Sequence, residues 1–277
     1  MSKPLPLVSI IVPTKDNERT IEKCIMTCVN QTYPNVEVLV IDNHSTDRTR
    51  EIASSLGARV IVFGPERNLQ RPEGARLAKG EWLMFPDSDM YISPTLVEDC
   101  MNQYEKDPSL EGFILPEISI GKHFWTRCKI YERKFYTYYN PLLTARLIRR
   151  DAYDKVGGWD KTLISGEDFD IHEKLEVAGA RIGRSHEFME HDEGEIHLPS
   201  YLKKKYYYGR FLKKFLAKSH RRHTESASRD IFFMRTCFYR YPKWTLQHPI
   251  LYVSMFVLMF LTQFSYVLGM LFGKHKT

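Results

Sequence analysis

A chain of 277 residues with 43% hydrophobic content holds enough apolar material for one large core or two small ones, which excludes a disordered chain. Its formal charge of +6 is concentrated: between Lys203 and Lys243 thirteen Lys and Arg face only Glu225 and Asp230, so the remainder is net acidic. The five cysteines, Cys24, Cys28, Cys100, Cys128 and Cys237, are odd in number and form no C-x-x-C pair. That usage excludes a disulfide scaffold and fits buried thiols in a reducing compartment. The first residues, Met-Ser-Lys-Pro-Leu-Pro-Leu, lack the apolar stretch of a secretory leader, and none is expected.

The first half alternates strand and helix signals. Val8 to Val12 is a short apolar run stopped by Pro13, the pattern of a buried parallel strand. Asn17 to Asn30 carries Ile21, Ile25 and Val29 at intervals of four, as an amphipathic helix does. Val36 to Ile41 is a second strand closed by Asp42. Thr46 to Leu56 reads as a helix with Gly57 just beyond it, and Arg59 to Phe63 as a third strand. A short helix around Gly74 to Ala78 leads to a fourth strand, Glu81 to Phe85. Ser93-Pro94 supplies a cap and a first-turn proline for a helix to about Lys106. Residues 121–143 have no clear period and are assigned no element. Thr144 to Ile148 reads as a strand, a helix starts at Asp151, and Glu167 to Val177 reads as a helix closed by Gly179.

Alternating strands and helices imply an α/β fold, a mostly parallel sheet flanked by helices. Ligands in such sheets bind beyond the carboxyl ends of the strands. The polar residues just after strands therefore become the first candidates: Thr14, Asp16, Asp42, Asn43, Asp87 and Asp89.

Beyond Ser200 the composition changes. From Tyr201 to Leu216 aromatics and cations interleave, with Leu202, Tyr206, Tyr208, Leu212 and Phe215 able to share one face of a helix. That pattern fits an amphipathic segment on an anionic membrane surface better than a nucleic-acid patch, because a long apolar run follows it. Pro249 to Phe272 contains no charged residue over 24 positions, enough for the roughly 20 that cross a bilayer. Arg235, Arg240 and Lys243 precede it and Lys274 and Lys276 follow, so the larger upstream charge places the N-terminal part in the cytosol. The division expected is residues 1–200 as the catalytic domain, 201–243 as a basic interfacial region and 244–277 as a membrane-anchoring helix and tail.

Two acidic clusters carry the chemistry. In Asp87-Ser88-Asp89 two carboxylates one residue apart, on a turn ending an apolar strand, repel unless a cation joins them. Hard oxygen ligands select Mg2+ or Mn2+, commonly shared with substrate phosphates. Surface turns are rich in Asp, so it is the position after the strand that gives the pair weight, on a turn expected to face solvent. Glu167-Asp168-x-Asp170 opens a helix after Gly166. Carboxylates suit a helix N-terminus in any case, but three in four residues exceed what capping needs, and one can act as a general base.

Five ordered blocks together resemble the family 2 glycosyltransferases, which have the GT-A fold. They are Val8-Ser-Ile-Ile-Val-Pro-Thr, Ile41-Asp-Asn-His-Ser-Thr-Asp47, Leu77-Ala-Lys-Gly-Glu-Trp, the Asp87-Ser-Asp89 turn, and Gly158-Trp-Asp followed by Gly166-Glu-Asp168. The resemblance covers residues 6 to about 200. It implies a nucleotide-sugar donor, UDP- or GDP-linked, with Pro13, Thr14 and Asn17 under the base and ribose and Asp42 on the base. It implies Arg71 near the nucleotide and Asp87, Ser88 and Asp89 at the metal and diphosphate, with His191 completing the metal site. Asp168 then matches the catalytic base of inverting members, with Glu167 beside it. No Gln-x-x-Arg-Trp motif follows the second cluster, which argues for addition of a single sugar rather than polymer synthesis. The acceptor expected is lipid-linked or membrane-proximal, a glycan or polyprenyl phosphate. The competing reading is a catalytically idle nucleotide-sugar-binding scaffold on the same fold.

Overall fold

The computed structural model describes residues 4–64, 67–135, 143–222, 238 and 247–273. The strands are β1 (Val8–Thr14), β2 (Val36–Asp42), β3 (Arg59–Val62), β4 (Trp82–Met84), β5 (Met90–Ile92), β6 (Leu110–Ile114), β7 (Glu117–Ile120), β8 (Ala145–Arg149), β9 (Arg181–Arg184) and β10 (Met189–Asp192). The helices are α1 (Glu18–Val29), α2 (Thr49–Ser55), α3 (Arg67–Leu77), α4 (Leu96–Lys106), α5 (Phe124–Lys134), α6 (Arg150–Lys155), α7 (Glu167–Val177), α8 (Leu198–Arg222) and α9 (Pro249–Phe272).

The chain forms two compact units. The first lies within residues 1–117, 144–162 and 174–191, the second within 118–143, 163–173 and 192–277. The first unit is built on a seven-stranded sheet in the order β3-β2-β1-β4-β8-β6-β9. β1 runs parallel to β2 and β4, and β2 to β3, while β8 is antiparallel to β4 and β6. Every residue of β1 is buried, which is why that strand reads as a continuous apolar run rather than an alternation. A smaller sheet has the order β5-β10-β7.

The elements the sequence assigned agree to within about three residues except α3, while β5, β6, β7, β9 and β10, strands of three to five residues, were not among them. α3 begins at Arg67, well before Gly74, because Pro72 sits inside the helix and masks its signal. Ser93 does not cap α4. Its hydroxyl donates to Glu187 at 2.5 Å, and Thr95 takes the capping position. Residues 124–134, left without an element by the sequence, form α5 around buried Thr126, Cys128 and Tyr131. Cys24 and Cys28 are both buried on α1, as their spacing predicts, and both are free thiols. A hydrogen bond with Cys28, and then burial, hold the Cys24 thiol well above its usual range, so it is an unreactive core group. Cys237 lies outside the described residues.

In the second unit α8 and α9 touch backbone to backbone. A Cβ at Gly209 would collide with the Tyr266 carbonyl, and one at Gly269 with the Tyr206 carbonyl. Only glycine permits that approach, so the pair fixes where the helices cross. The first turns of α9 pack Met255 and Met259 against Tyr131 of α5, against Phe135 just beyond its end and against Phe238, with Leu251, Tyr252 and Phe256 alongside. The basic segment expected over 201–243 is thus helix as far as Arg222; residues 223–237 and 239–246 lie outside the described residues.

Candidate active site

The first unit assembles its polar residues at the carboxyl ends of β1, β2 and β4. Pro13 and Thr14 end β1 opposite Ile41 and Asp42 of β2. Asp42 is fully buried. Its Oδ2 accepts the Ser45 backbone N–H at 2.9 Å and lies 3.6 Å from Arg50 Nε. Its Oδ1 and the Thr14 hydroxyl are buried with no hydrogen-bond partner among the described residues. Buried oxygens of this kind cost free energy until something donates to them, so the strand ends are arranged for a polar ligand. The loops behind them are knit together: Asp16 and His44 adopt left-handed backbone (φ 44 and 51), and Asp16 Oδ1 accepts the Thr46 N–H at 2.7 Å.

The 87–89 turn is gripped by one face of α1. Asn17 Nδ2 donates to Ser88 Oγ at 2.7 Å, Thr20 Oγ1 donates to the Ser88 carbonyl at 2.9 Å, and Cys24 Sγ approaches the Asp87 carbonyl at 3.8 Å. Asn17, Thr20 and Cys24 are spaced three and four apart, as one helical face requires. Asn17, assigned by the resemblance to the nucleotide loop, therefore holds the acidic turn through Ser88. Ser88 itself is buried, and the Asp87 side chain is only 19% exposed, so the turn faces solvent less than its sequence suggests.

Charges alternate outward from that turn. The fully buried Arg71 donates to Asp87 Oδ1 at 2.8 Å and stacks 4.7 Å over the Trp159 ring. Asp87 Oδ2 lies 3.9 Å from Arg146, which donates to Glu117 Oε1 at 2.7 Å. Glu117 Oε2 is 3.7 Å from His191 Nδ1, and His191 Nε2 is 3.6 Å from Asp89 Oδ2. Antiparallel pairing sets His191 opposite Met90, one residue from Asp89, so two positions a hundred residues apart meet through strand register. Three carboxylates face two guanidinium groups, leaving the network short of positive charge when His191 is neutral.

A divalent ion fits this network in part. Asp89 Oδ1 is buried without a hydrogen-bond partner, and His191 stands beside it, so two donors are in place. Asp87 is engaged with Arg71, and no group of three or more His, Cys, Asp or Glu among the described residues is arranged around one point. A nucleoside diphosphate would have to supply further oxygens.

Gln70, Glu117, Arg146 and Trp159 were not among the candidates. Gln70 donates to the Thr14 and Ile41 carbonyls at 2.9 and 2.5 Å, clamping α3 across the ends of β1 and β2. Its position next to Arg71, on the helix following β3, was the available signal. Arg146 and Glu117 carried none, because their roles arise from sheet order.

The second acidic cluster belongs to the second unit. Gly166, at φ 79, precedes α7 with the Phe215 ring lying against it, so a side chain there would be both strained and in collision. Phe169 meets Phe215 at 6.3 Å, and Ser219 donates to the buried Glu173 at 2.7 Å. α8 thus fixes the turn bearing Glu167, which is buried, Asp168, which is half-buried, and Asp170, which is fully buried.

A mostly parallel sheet with orphaned oxygens and an acidic turn beyond its strand ends defines a GT-A type α/β protein. A sequence model described as Glycosyl transferase family 2 matches residues 9–159, more than half of the chain, and the chain belongs to that family. It is 27% identical over 191 residues to a chondroitin synthase of Escherichia coli, covering 64% of this chain and 27% of that protein. It is 36% identical over 106 residues to an uncharacterized glycosyltransferase of Haemophilus influenzae, covering 35% of this chain and 42% of that one. The chain thus spans less than half the length of these relatives. Among solved structures, the mannosyltransferase PcManGT from Pyrobaculum calidifontis in complex with GDP-Man and Mn2+ superposes with a TM-score of 0.66 at 15% identity, covering 98% of this chain and 88% of that one. S. aureus TarS 1-349 in complex with UDP-GlcNAc gives a TM-score of 0.57 at 16% identity, covering 95% of this chain and 90% of that one. At such identities the likeness concerns the fold.

Proposed function

We propose that this protein transfers one sugar from a UDP- or GDP-linked donor to a hydroxyl or phosphate acceptor, with inversion, and that the acceptor is membrane-borne. The observation that carries the reading is the pair of orphaned carboxylate oxygens, on Asp42 at the end of β2 and on Asp89 in the turn beyond β4, the two strands that flank β1, in a chain of this family. Asp42 accepts a donor N–H of the base, and Pro13, Thr14 and Asn17 line the nucleotide loop. Arg71 and Ser88 neutralise and orient the diphosphate. Asp87, Asp89 and His191 would hold a Mg2+ or Mn2+ ion, whose chemistry is Lewis-acid stabilisation of the leaving diphosphate. Asp168 takes the proton of the attacking acceptor hydroxyl, with Glu167 holding its position, and attack opposite the leaving group inverts the anomeric centre. Residues 1–200 form the catalytic domain, 201–243 an interfacial region, and 244–277 the membrane attachment, with catalysis on the cytosolic side. α9 is long and apolar enough to cross a membrane by length and composition.

The test is a screen of UDP-, GDP- and dTDP-sugars against membrane extracts, followed by the anomeric configuration of the product. Turnover that EDTA abolishes and Mn2+ or Mg2+ restores supports the scheme. Full turnover in EDTA removes the metal, and a product of retained configuration removes Asp168 as base. The Asp87–Arg71 ion pair at 2.8 Å favours a second reading, a donor-binding protein without turnover. Donor binding with no transfer or hydrolysis across the screen would establish it.

A further inference from the structure

The exposed residues of α9 form a stripe. Ile250, Val253, Val257, Phe260, Phe264, Val267 and Leu271 are all exposed, at alternating intervals of three and four. That spacing keeps them on one side of the helix from its first turn to its last. The opposite side is taken by protein. Met255, Leu258 and Met259 are buried near the start, Met255 and Met259 against α5 and Phe238, and Gly269 is buried near the end, against α8.

A helix of 24 residues is about 36 Å long, against a hydrocarbon core of about 30 Å, so length and composition allow it to span. Packing does not. Both ends of α9 rest on one folded unit, and a helix that crossed would carry one end, with its neighbours, to the far side. Those neighbours are charged. α8 touches α9 at Gly209, and Lys203, Lys204, Lys213 and Lys214 on both sides of that contact are exposed. In a spanning arrangement they would be drawn into hydrocarbon, where an ammonium is costly.

We propose that α9 does not cross the bilayer but lies in its surface, one apolar stripe sunk to the headgroup–acyl boundary, the other face bolted to α5 and α8. The occupant of the stripe is an anionic lipid leaflet, because the flanking exposed lysines of α8 match phosphate headgroups and the stripe matches acyl chains. α8 is then the link between membrane and chemistry: Gly209 docks α9, and Phe215 and Ser219, further along the same helix, hold the turn that carries Asp168. The inference rests on the membrane reading above and specifies its geometry.

Two measurements test it on the full chain. In the first, Ile250→Lys, Val257→Lys, Phe260→Lys, Phe264→Lys and Leu271→Lys are compared for binding to phosphatidylcholine vesicles with and without phosphatidylglycerol. An in-plane helix puts all five at one depth, so each loses binding by a similar factor, about tenfold or more. A spanning helix gives a profile peaked at Phe260 and shallow at Ile250 and Leu271, which would overturn the proposal. Because these positions are exposed, circular dichroism should show the fold retained. The second needs no substitution: a tag placed after Thr277 is probed in sealed vesicles. Protease on the side that digests the N-terminal domain should also remove the tag; a tag protected from that side overturns the proposal. Binding absent from both vesicle types, with a stripe-dependent dimer in solution, would make a second copy the occupant and sink the membrane reading as well.

Discussion

The two acidic clusters sit in different settings. Asp87 is fixed by charge: a fully buried arginine on one side, a second guanidinium 3.9 Å away on the other, and a helix face gripping the backbone behind it. The backbone around the Glu167–Asp170 turn is set by a left-handed glycine and an aromatic ring pressed on it, with a hydroxyl from α8 reaching Glu173. Deleting Asp87 strips the buried Arg71 of a carboxylate, whereas an isosteric amide at Asp168 keeps the side chain's volume and removes its proton acceptor. Stability and activity should therefore move together at Asp87 and separate at Asp168 and at the more exposed Asp89.

The largest effects expected are losses of transfer, and Asp168→Asn should give one of them. The amide keeps the shape and cannot take a proton, so kcat should fall about 10²- to 10⁴-fold with the melting temperature and donor affinity unchanged. Near-normal kcat would move the base to Glu167 or Asp170. In the other cluster Asp87→Ala removes the carboxylate paired with buried Arg71 and should cost about 3–5 kcal/mol of stability as well as activity. Asp89→Ala, with a side chain 37% exposed, should abolish turnover at a stability cost below about 1 kcal/mol. Equal losses of stability in urea titrations of the two variants would show that Arg71 does not depend on Asp87.

The second cluster should also respond to a distant steric change, because α8 packs against its turn. Gly209→Val places a methyl-bearing carbon against the backbone of Tyr266, which cannot yield as a side chain would. About 1–3 kcal/mol of destabilisation is expected, confined to the second unit. Transfer should fall through the loosened Phe215 contact, while donor affinity, which we propose rests on residues of the first unit, holds. Calorimetry and donor titration of the same sample separate the two.

How much of this the sequence carried follows the same division. Features set by short stretches of chain were legible: β1 and β2 as apolar runs, Asp42 and Asp87 as the polar residues just after strands, α7 beginning at Glu167. Features set by what meets what were not. Arg146 and Glu117 join the site only because β8 lies beside β4 and β6 and because Glu117 opens β7. His191 was found through a resemblance, yet its approach to Asp89 depends on the register of β10 against β5. The basic helix gave the strongest mismatch. Its lysines drew attention to a membrane surface and placed Phe215 on the apolar face expected there, whereas the structure buries Phe215 against Gly166 and Phe169; Gly209 and Ser219, which attach the helix to α9 and α7, carry no signal in the sequence. In α9 a wholly apolar composition concealed two different faces, since hydropathy does not distinguish a residue facing protein from one facing lipid.

A slope of stability with pH is also expected, and Lys205 sets it. Burial chiefly, and then the charges of Lys129, Lys204 and Arg133, push its ammonium down from 10.5 to about 7, with Glu132 opposing. Its Nζ lies 4.9 Å from the Tyr201 ring and 5.6 Å from that of Tyr266. Below about pH 7 the lysine is protonated in both folded and unfolded chains, and the full penalty of a buried charge is present. Between about 7 and 10.5 the unfolded chain keeps a proton that the folded one has released, so stability rises with pH across that window and levels above it. Lys205→Met keeps the length and apolar contacts of the side chain without the charge. It should raise stability most at pH 6 and least at pH 10, flattening the slope between them. Chemical denaturation at intervals of pH through that range reads the difference, and parallel curves for the two proteins would mean that Lys205 stays protonated in the folded chain.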